Sequence, residues 1–308
     1  MDDDLPEINC DKLTRHRGNT GGMDMKERMR KTLRILLLLL CCVSAVVLAH
    51  RILDSVSGGE SYNDALLLAF GSTETAASEE TEAAEEEPET IPEERWVPAP
   101  IEDDAYAQEL GSLDLDALRE VNPDVIGWIR IPGTKIDYPI LQGEDNDYYL
   151  EHTWDGKALS VGSIFMECRN NGDFTDYNTI LYGHNRNDGS MFANLKRYST
   201  DWYWQQHPYV YVVTDGGVLR YEVFSSYKAA VDGPAYGLSF QQQETKIHFL
   251  EEAIKNSQAY NGIKPEVTDR ILTLSTCSGG GYSHRWVVHA RLRMVKETDA
   301  SGNADTGA

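Results

Sequence analysis

A cysteine, a histidine and an arginine each stand where a predicted strand begins or ends, and together these residue types could carry out acyl transfer. Cys277 follows the β-branched run 270–276 and precedes a serine and three glycines, which end the strand. Arg285 begins the next apolar run, and His184 follows a glycine at the end of an earlier one. A thiol needs a base or a cationic field to become a nucleophile at neutral pH. The set predicts Cys277 as nucleophile, His184 as base and Arg285 as a cation near the developing oxyanion.

Simpler interpretations of these residues stay open at this point. A lone cysteine at a strand end is commonly a small buried apolar residue, and Cys168 is expected to be a semi-buried structural thiol. His289 lies four residues after Arg285, so strand alternation puts both on one face and makes His289 a competing base. The five cysteines match neither a zinc pattern nor a disulfide framework. We therefore expect no metal and no cofactor.

Several longer motifs around these residues resemble one family. The motif TLSTC (273–277) with a downstream Arg-x-Val-Val, and LYGHN (181–185) before it, resemble a sortase. The stretch GWIRIPGTKIDYP (127–139) resembles class B of that family. The similarity runs from about Asp114 to Val295 and implies a cysteine transpeptidase whose catalytic residues are Cys277, His184 and Arg285.

The resemblance also implies residues that bind the substrate. Four residues of this sequence match positions that line the sorting-signal groove in class B enzymes: Asn146, Leu150, Tyr182 and Ser275. The stretch 231–240 matches the loop that contacts the signal. For Tyr182 and Leu150, ordinary packing is the alternative. Ser278 departs from the class, whose members often carry an acid directly after the cysteine.

The implied reaction joins a secreted protein to an amine. Cys277 would cleave a C-terminal sorting motif through a thioester, and an amine of the cell wall peptidoglycan would accept the acyl group, with hydrolysis as a side reaction. A pilin lysine is the alternative acceptor, and a cysteine peptidase or a sortase-like binding module without turnover are further alternatives. No basic stripe indicates nucleic-acid binding.

The N-terminal region predicts a membrane anchor. Basic residues precede the apolar run 35–49, which as a helix is about 22 Å long. We expect a cytoplasmic tail at 1–32, a single transmembrane span at 33–53 and an extracellular catalytic domain. A cleaved signal peptide is the alternative, because Val47-Leu48-Ala49 resembles a cleavage site.

The formal net charge of −22 is concentrated in one segment. Many of the acidic residues lie between 74 and 94, in a stretch rich in Glu, Ala, Thr, Ser and Pro. This stretch has too few apolar residues to form a core. We therefore expect a disordered acidic stalk at 54–100, with a possible short helix near 62–70. The catalytic domain is then 101–296, and 297–308 is a disordered tail.

The pattern of the domain predicts a mainly β fold with helices. Short apolar, β-branched runs recur, and a helical pattern at 242–257 lies late in the chain. Leucines between 110 and 118 indicate one or two short helices before Asn122-Pro123. Many short strands favour a closed or nearly closed β-barrel. The resemblance implies the same sortase-like closed β-barrel, with N-terminal helices and a helix inserted in a late loop.

The expected strands alternate with turn residues along the domain. They are 127–131, 136–141, 163–166, 178–182, 209–214, 218–227, 270–276 and 285–295.

Overall fold

The computed structural model describes residues 25–71, 104–259, 262–277 and 283–296. The chain divides into two compact units, Met1–Ile52 and Leu53–Ala308. Residues 1–24 of the expected cytoplasmic tail, residues 72–100 of the expected stalk and the expected tail at 297–308 lie outside the described residues.

The second unit contains a closed β-barrel with the strand order β1-β2-β3-β4-β7-β8-β6-β5. Its strands are β1 (Val125–Arg130), β2 (Asp137–Leu141), β3 (Ile164–Met166), β4 (Asn178–Tyr182), β5 (Tyr209–Thr214), β6 (Gly217–Ala230), β7 (Ile271–Cys277) and β8 (His284–Lys296). Most neighbouring strands are antiparallel, but β2–β3 and β4–β7 pair in parallel. The prediction of a closed barrel is confirmed.

Helices accompany the barrel before its first strand and within two of its connections. They are α1 (Met25–Phe70), α2 (Ala105–Leu110), α3 (Leu115–Arg119), α4 (Asp201–Gln206) and α5 (Gln243–Asn256). Short 3₁₀ helices occur at Tyr148–Leu150, Ala193–Ser199 and Pro234–Tyr236. The expected N-terminal helices correspond to α2 and α3, and the expected late helix to α5.

The barrel holds together because its strands supply apolar side chains to an interior core. In β5 every residue is buried, and the strand is composed of valine, tyrosine and a terminal threonine. A second apolar cluster lies under α5, where Phe249 and Leu250 pack with Phe224 of β6. This cluster also includes Ile271 of β7 and Val287 of β8.

The capping of α2 and α3 shows why these short helices form. Asp104 accepts a hydrogen bond from the Ala107 backbone N–H, and Asp114 does the same for Ala117. Each carboxylate thereby satisfies one of the backbone donors that a helix N-terminus leaves without an intrahelical partner.

The expected stalk at 54–100 is wrong for its first part. Residues 53–70 are the C-terminal part of α1 and belong to the same unit as the barrel. Tyr62, Ala65 and Ala69 are buried at helical spacing. The Trp154 indole donates to the Ser61 carbonyl at 2.7 Å. The possible short helix expected near 62–70 lies within this segment, but the glycines and serines before Tyr62 have low helix propensity and do not reveal the earlier turns.

Helix α1 begins at Met25, so residues 25–32 of the expected cytoplasmic tail are helical. Among the described residues, α1 is long and apolar enough to cross a membrane.

Candidate active site

The three predicted catalytic residues lie in, or directly after, strands that are neighbours in the barrel. The parallel strands β4 and β7 pair Tyr182 with Ser275. His184 lies two residues after Tyr182, and Cys277 lies two residues after Ser275. The antiparallel β7 and β8 then pair the backbone of Cys277 with that of Arg285. The register therefore brings the three positions to one end of three adjacent strands, although His184 is more than ninety residues before Cys277 in the sequence.

The orientation of His184 is set by a backbone carbonyl. Its Nε2 lies 2.6 Å from the Leu150 carbonyl oxygen. Because a carbonyl oxygen can only accept a hydrogen bond, Nε2 carries the proton. In the neutral imidazole, Nδ1 is then the basic nitrogen. The hydrogen bond thus selects a tautomer suited to accept a proton at Nδ1.

The backbone around His184 is closely packed on both sides. A Cβ on Gly183 would lie 2.4 Å from Ile164 and 2.8 Å from Phe192, so a side chain at this position would clash. The Phe192 N–H donates to the His184 carbonyl at 2.9 Å. These contacts hold the main chain of the histidine while the Leu150 carbonyl holds its ring.

An open cleft of about 400 Å³ lies at this end of the barrel. His184 and Arg285 line it, together with the four residues predicted to bind substrate, Asn146, Leu150, Tyr182 and Ser275. Val231 and Tyr236, from the predicted signal-contacting loop, lie on its wall as well. The structure therefore brings these predicted side chains together around one cleft.

Glu167 is a buried carboxylate in the cleft wall that the sequence interpretation missed. Its side chain is 2% exposed. Burial disfavours its charge, yet hydrogen bonds from Arg169, Tyr182 and Asn146 outweigh this effect and lower the pKa of Glu167. An acid directly after the apolar strand β3 was the signal that could have revealed it.

The Glu167 carboxylate fixes two predicted substrate-binding side chains at once. Asn146 Nδ2 and the Tyr182 hydroxyl both donate to its Oε2 at 2.9 Å. The Asn146 Oδ1 accepts from the Cys168 backbone N–H at 2.9 Å. The orientations of the amide and the phenol are consequently set before any ligand binds.

An aromatic pair continues this wall toward β7. The Tyr182 and Tyr236 rings are nearly parallel, at 10°, with centroids 6.5 Å apart. The Tyr236 hydroxyl lies 2.9 Å from Ser275 Oγ. Through this pair the loop before α5 is joined to both β4 and β7.

His289, the competing base, lies away from the cleft. It is completely buried and packs beside Phe224 and Phe249. Burial lowers its pKa to about 3. The Thr273 hydroxyl donates to Asn178 at 2.6 Å, so its oxygen accepts from His289 Nδ1 at 2.9 Å. The geometry of His289 is that of a neutral core histidine.

Comparison with known proteins identifies the family. The Sortase domain family matches residues 129–293. Sortase B of Listeria monocytogenes is 40% identical over 167 residues, which is 53% of this chain and 67% of that protein. Sortase B of Staphylococcus aureus is 35% identical over 183 residues, or 58% of this chain and 75% of that protein. The chain is a class B member of the sortase family.

The fold of this sortase agrees with a solved relative. A Staphylococcus aureus sortase B–substrate complex superposes with a TM-score of 0.56 at 33% identity, covering 59% of this chain and 85% of that one. The predicted enzyme class is thereby confirmed: this sortase is a cysteine transpeptidase. A binding module without turnover, which the sequence alone left open, is not favoured.

Proposed function

We propose that this sortase cleaves a C-terminal sorting motif of secreted proteins with Cys277 as nucleophile, His184 as general acid and base, and Arg285 as oxyanion stabiliser. The observation that carries the proposal is the strand register, which aligns the ends of β4, β7 and β8. The tautomer set by the Leu150 carbonyl supports the role of His184.

The first half-reaction forms a thioester. His184 Nδ1 takes the thiol proton, and Cys277 Sγ attacks the carbonyl carbon of the scissile peptide bond. As the tetrahedral intermediate collapses, the C–N bond breaks and the imidazolium returns the proton to the leaving amine. No proton or electron is gained or lost overall.

The second half-reaction runs the same steps with a new amine. The acceptor attacks the thioester carbonyl, His184 removes a proton from its nitrogen, and the thiolate leaves. In both halves negative charge develops on the carbonyl oxygen, and the Arg285 guanidinium on the cleft wall stabilises it. The permanent charge of arginine keeps this donor available at any working pH.

The cleft supports a peptide in extended conformation as the substrate. Its wall offers a fixed amide at Asn146, a phenol at Tyr182 and a hydroxyl at Ser275, which suit backbone and small polar side chains. The solved Staphylococcus aureus relative is itself described as a substrate complex. For the acceptor we propose a peptidoglycan amine, as the class B resemblance implies, with a pilin lysine as the alternative.

We further propose that residues 33–53 anchor the enzyme in the cell membrane with the catalytic domain outside. The support is one long apolar helix near the N-terminus, preceded by basic residues. Neither the length nor the composition of that helix specifies the orientation, which rests on the basic flank.

Mass spectrometry of trapped acyl-enzyme tests the assignment of roles. The enzyme is mixed with a peptide library carrying Asn/Ser-Pro-x-Thr-Gly/Asn-like and Leu-Pro-x-Thr-Gly-like motifs. We expect a covalent adduct on Cys277 that an added amine releases, and no adduct with Cys277→Ala. His184→Ala should lower turnover by roughly 10²–10⁴.

Arginine variants and acceptor amines complete the test. Arg285→Ala should cost roughly 10²–10³ in kcat, and Arg285→Lys less, because lysine keeps the charge but loses the planar set of donors. Peptides with an amino-terminal glycine should outcompete a lysine peptide as acceptors, since a solved sortase B is described as complexed with triglycine. Adducts on Cys277→Ala would contradict the proposed nucleophile, and preference for the lysine peptide would favour pilin polymerisation.

A further inference from the structure

One face of α1 runs along the turn that lies beneath the catalytic histidine. Asp54, Gly58 and Tyr62 follow each other at intervals of four residues and therefore share a face of the helix. Asp54 accepts a hydrogen bond from Ser160, and a Cβ on Gly58 would lie 2.8 Å from Val161. We call the three helix residues the α1 brace. They lie outside the residues that the family model matches.

The α1 brace is joined to Gly162, in the 159–163 turn, by the Tyr62 hydroxyl. This hydroxyl donates to the Gly162 carbonyl at 2.5 Å and lies 3.2 Å from Ser163 Oγ. Tyr62 is 8% exposed, and burial raises the pKa of its hydroxyl. The hydroxyl therefore stays protonated and remains a donor throughout the working pH range.

Gly162 connects this hydrogen bond to the active site. Its φ is +61°, and a Cβ there would lie 2.9 Å from His184 Cδ2 and 2.6 Å from the Leu150 carbonyl oxygen. That carbonyl is the one that accepts from His184 Nε2. The Gly162 backbone thus packs against both the catalytic ring and the group that orients it.

Tyr62 also contacts Tyr138, whose hydroxyl binds the segment that follows His184. The two tyrosine rings meet edge to face, with centroids 5.2 Å apart. The Tyr138 hydroxyl accepts from the Met191 N–H at 3.0 Å, and the next residue, Phe192, donates to the His184 carbonyl. One tyrosine on α1 therefore reaches the segments on both sides of the histidine.

We propose that Tyr62 is a positioning residue, which holds the 159–163 turn so that Leu150 keeps the His184 ring aligned for proton transfer. Small displacements of a catalytic group are costly, since a misplacement of about 1 Å can reduce the rate by about 10². The inference rests on the proposed role of His184. It assigns to α1, in addition to membrane anchoring, a part in setting the turnover rate.

The test compares two variants that each remove one hydroxyl from adjacent residues of α1. Tyr62→Phe removes the hydrogen bond to Gly162 and retains the ring. Ser61→Ala, the matched control, removes the bond from Ser61 to Asp155, which lies earlier in the same connection and outside the 159–163 turn. The full chain is assayed in detergent for amine-dependent transfer of a sorting-motif peptide, and thermal unfolding is recorded for each variant.

We expect Tyr62→Phe to lower kcat about tenfold with KM unchanged, and to shift the limb of the pH–rate profile that belongs to His184. Ser61→Ala should leave kcat, KM and the pH profile unchanged at a similar melting temperature. Tyr138→Phe provides a second arm, because it removes the acceptor for Met191 and leaves the Tyr62 hydroxyl intact. It should lower kcat in the same way.

The outcomes separate this inference from the proposed function. If Tyr62→Phe matches Ser61→Ala in kcat and pH profile, Tyr62 does not position His184, whereas the catalytic assignment stands. If Tyr62→Phe does not fold, Ser160→Ala decides, because it removes another hydrogen bond between α1 and the 159–163 turn. An unchanged kcat and pH profile in Ser160→Ala would then contradict the proposed role of the α1 brace. If His184→Ala retains full turnover, the catalytic assignment itself is wrong, whatever the tyrosine variants do.

Discussion

The Leu150 carbonyl shows how one backbone atom can determine the chemistry of a side chain. It fixes the His184 tautomer and carries no formal charge of its own. Sequence motifs indicate His184, Cys277 and Arg285 as candidate catalytic residues, because glycines and strand ends mark their positions. They could not predict this hydrogen bond, because a main-chain carbonyl carries no sequence signal and its position depends on the turn around it.

The buried position of His289 makes the stability of the folded protein depend on pH. The ordinary pKa of His289 is 6.5, and burial lowers it to about 3 in the folded protein. As the pH falls from 6.5 toward 3, the unfolded chain binds a proton that the folded chain does not. The contribution of His289 to the free energy of unfolding is therefore fully present above pH 6.5. Between pH 6.5 and 3 it decreases by up to about 1.4 kcal/mol for each pH unit.

Urea unfolding of a chain beginning at residue 53 measures this effect between pH 7 and pH 4.5. His289→Gln cannot take up the proton, so its free energy of unfolding should fall less steeply with decreasing pH than that of the wild type. The variant should also retain acyl transfer at pH 7. Equal slopes would show that His289 is not a buried neutral group, and loss of transfer in a folded variant would reopen its role as base.

At the scale of elements, the strands were predictable and the start of the domain was not. The bounds of β4 agree with the expectation, and those of β7 and β8 differ by one residue at each end, because β-branched runs between turn residues specify them. Residues 53–70 instead form a helix on the barrel, with Gly58, Gly59 and several polar residues in its sequence. Its stability comes from tertiary packing, which local propensity does not reveal.

Removing this helical segment should destabilise the barrel. A chain beginning at residue 104 loses the Tyr62 contacts and the bond from the Asp114 N–H to the Ala69 carbonyl. It also exposes the apolar surface that Tyr62, Ala65 and Ala69 cover. Compared with a chain beginning at residue 53, we expect its free energy of unfolding to be lower by roughly 3 kcal/mol or more.

Denaturant unfolding of the two truncated chains, monitored by tryptophan fluorescence, gives this difference directly. Phe70 packs against Trp128, and the Trp154 indole binds the Ser61 carbonyl, so both indoles report on the interface. Equal midpoints and slopes for the two chains would show that residues 53–70 are dispensable for folding.

At the scale of the whole molecule, the proposed topology places the N-terminus in the cytoplasm and the barrel outside. A protease added to intact protoplasts should then remove the catalytic domain by cutting the acidic stretch after Gly71. Permeabilised cells serve as the control for complete digestion. Protection of the domain in intact protoplasts would show the opposite orientation.

The parallel pairing of β4 with β7 has a consequence for biosynthesis. Parallel neighbours cannot be joined by a tight hairpin, and here β5, β6 and α5 all lie between them in the chain. Such pairings have high contact order and form slowly. A nascent chain that ends before β7 already contains His184 but not Cys277. On the proposed assignment, the Cys277 thiol gains its proton acceptor only when β7 pairs with β4, after β5, β6 and α5 have been synthesised.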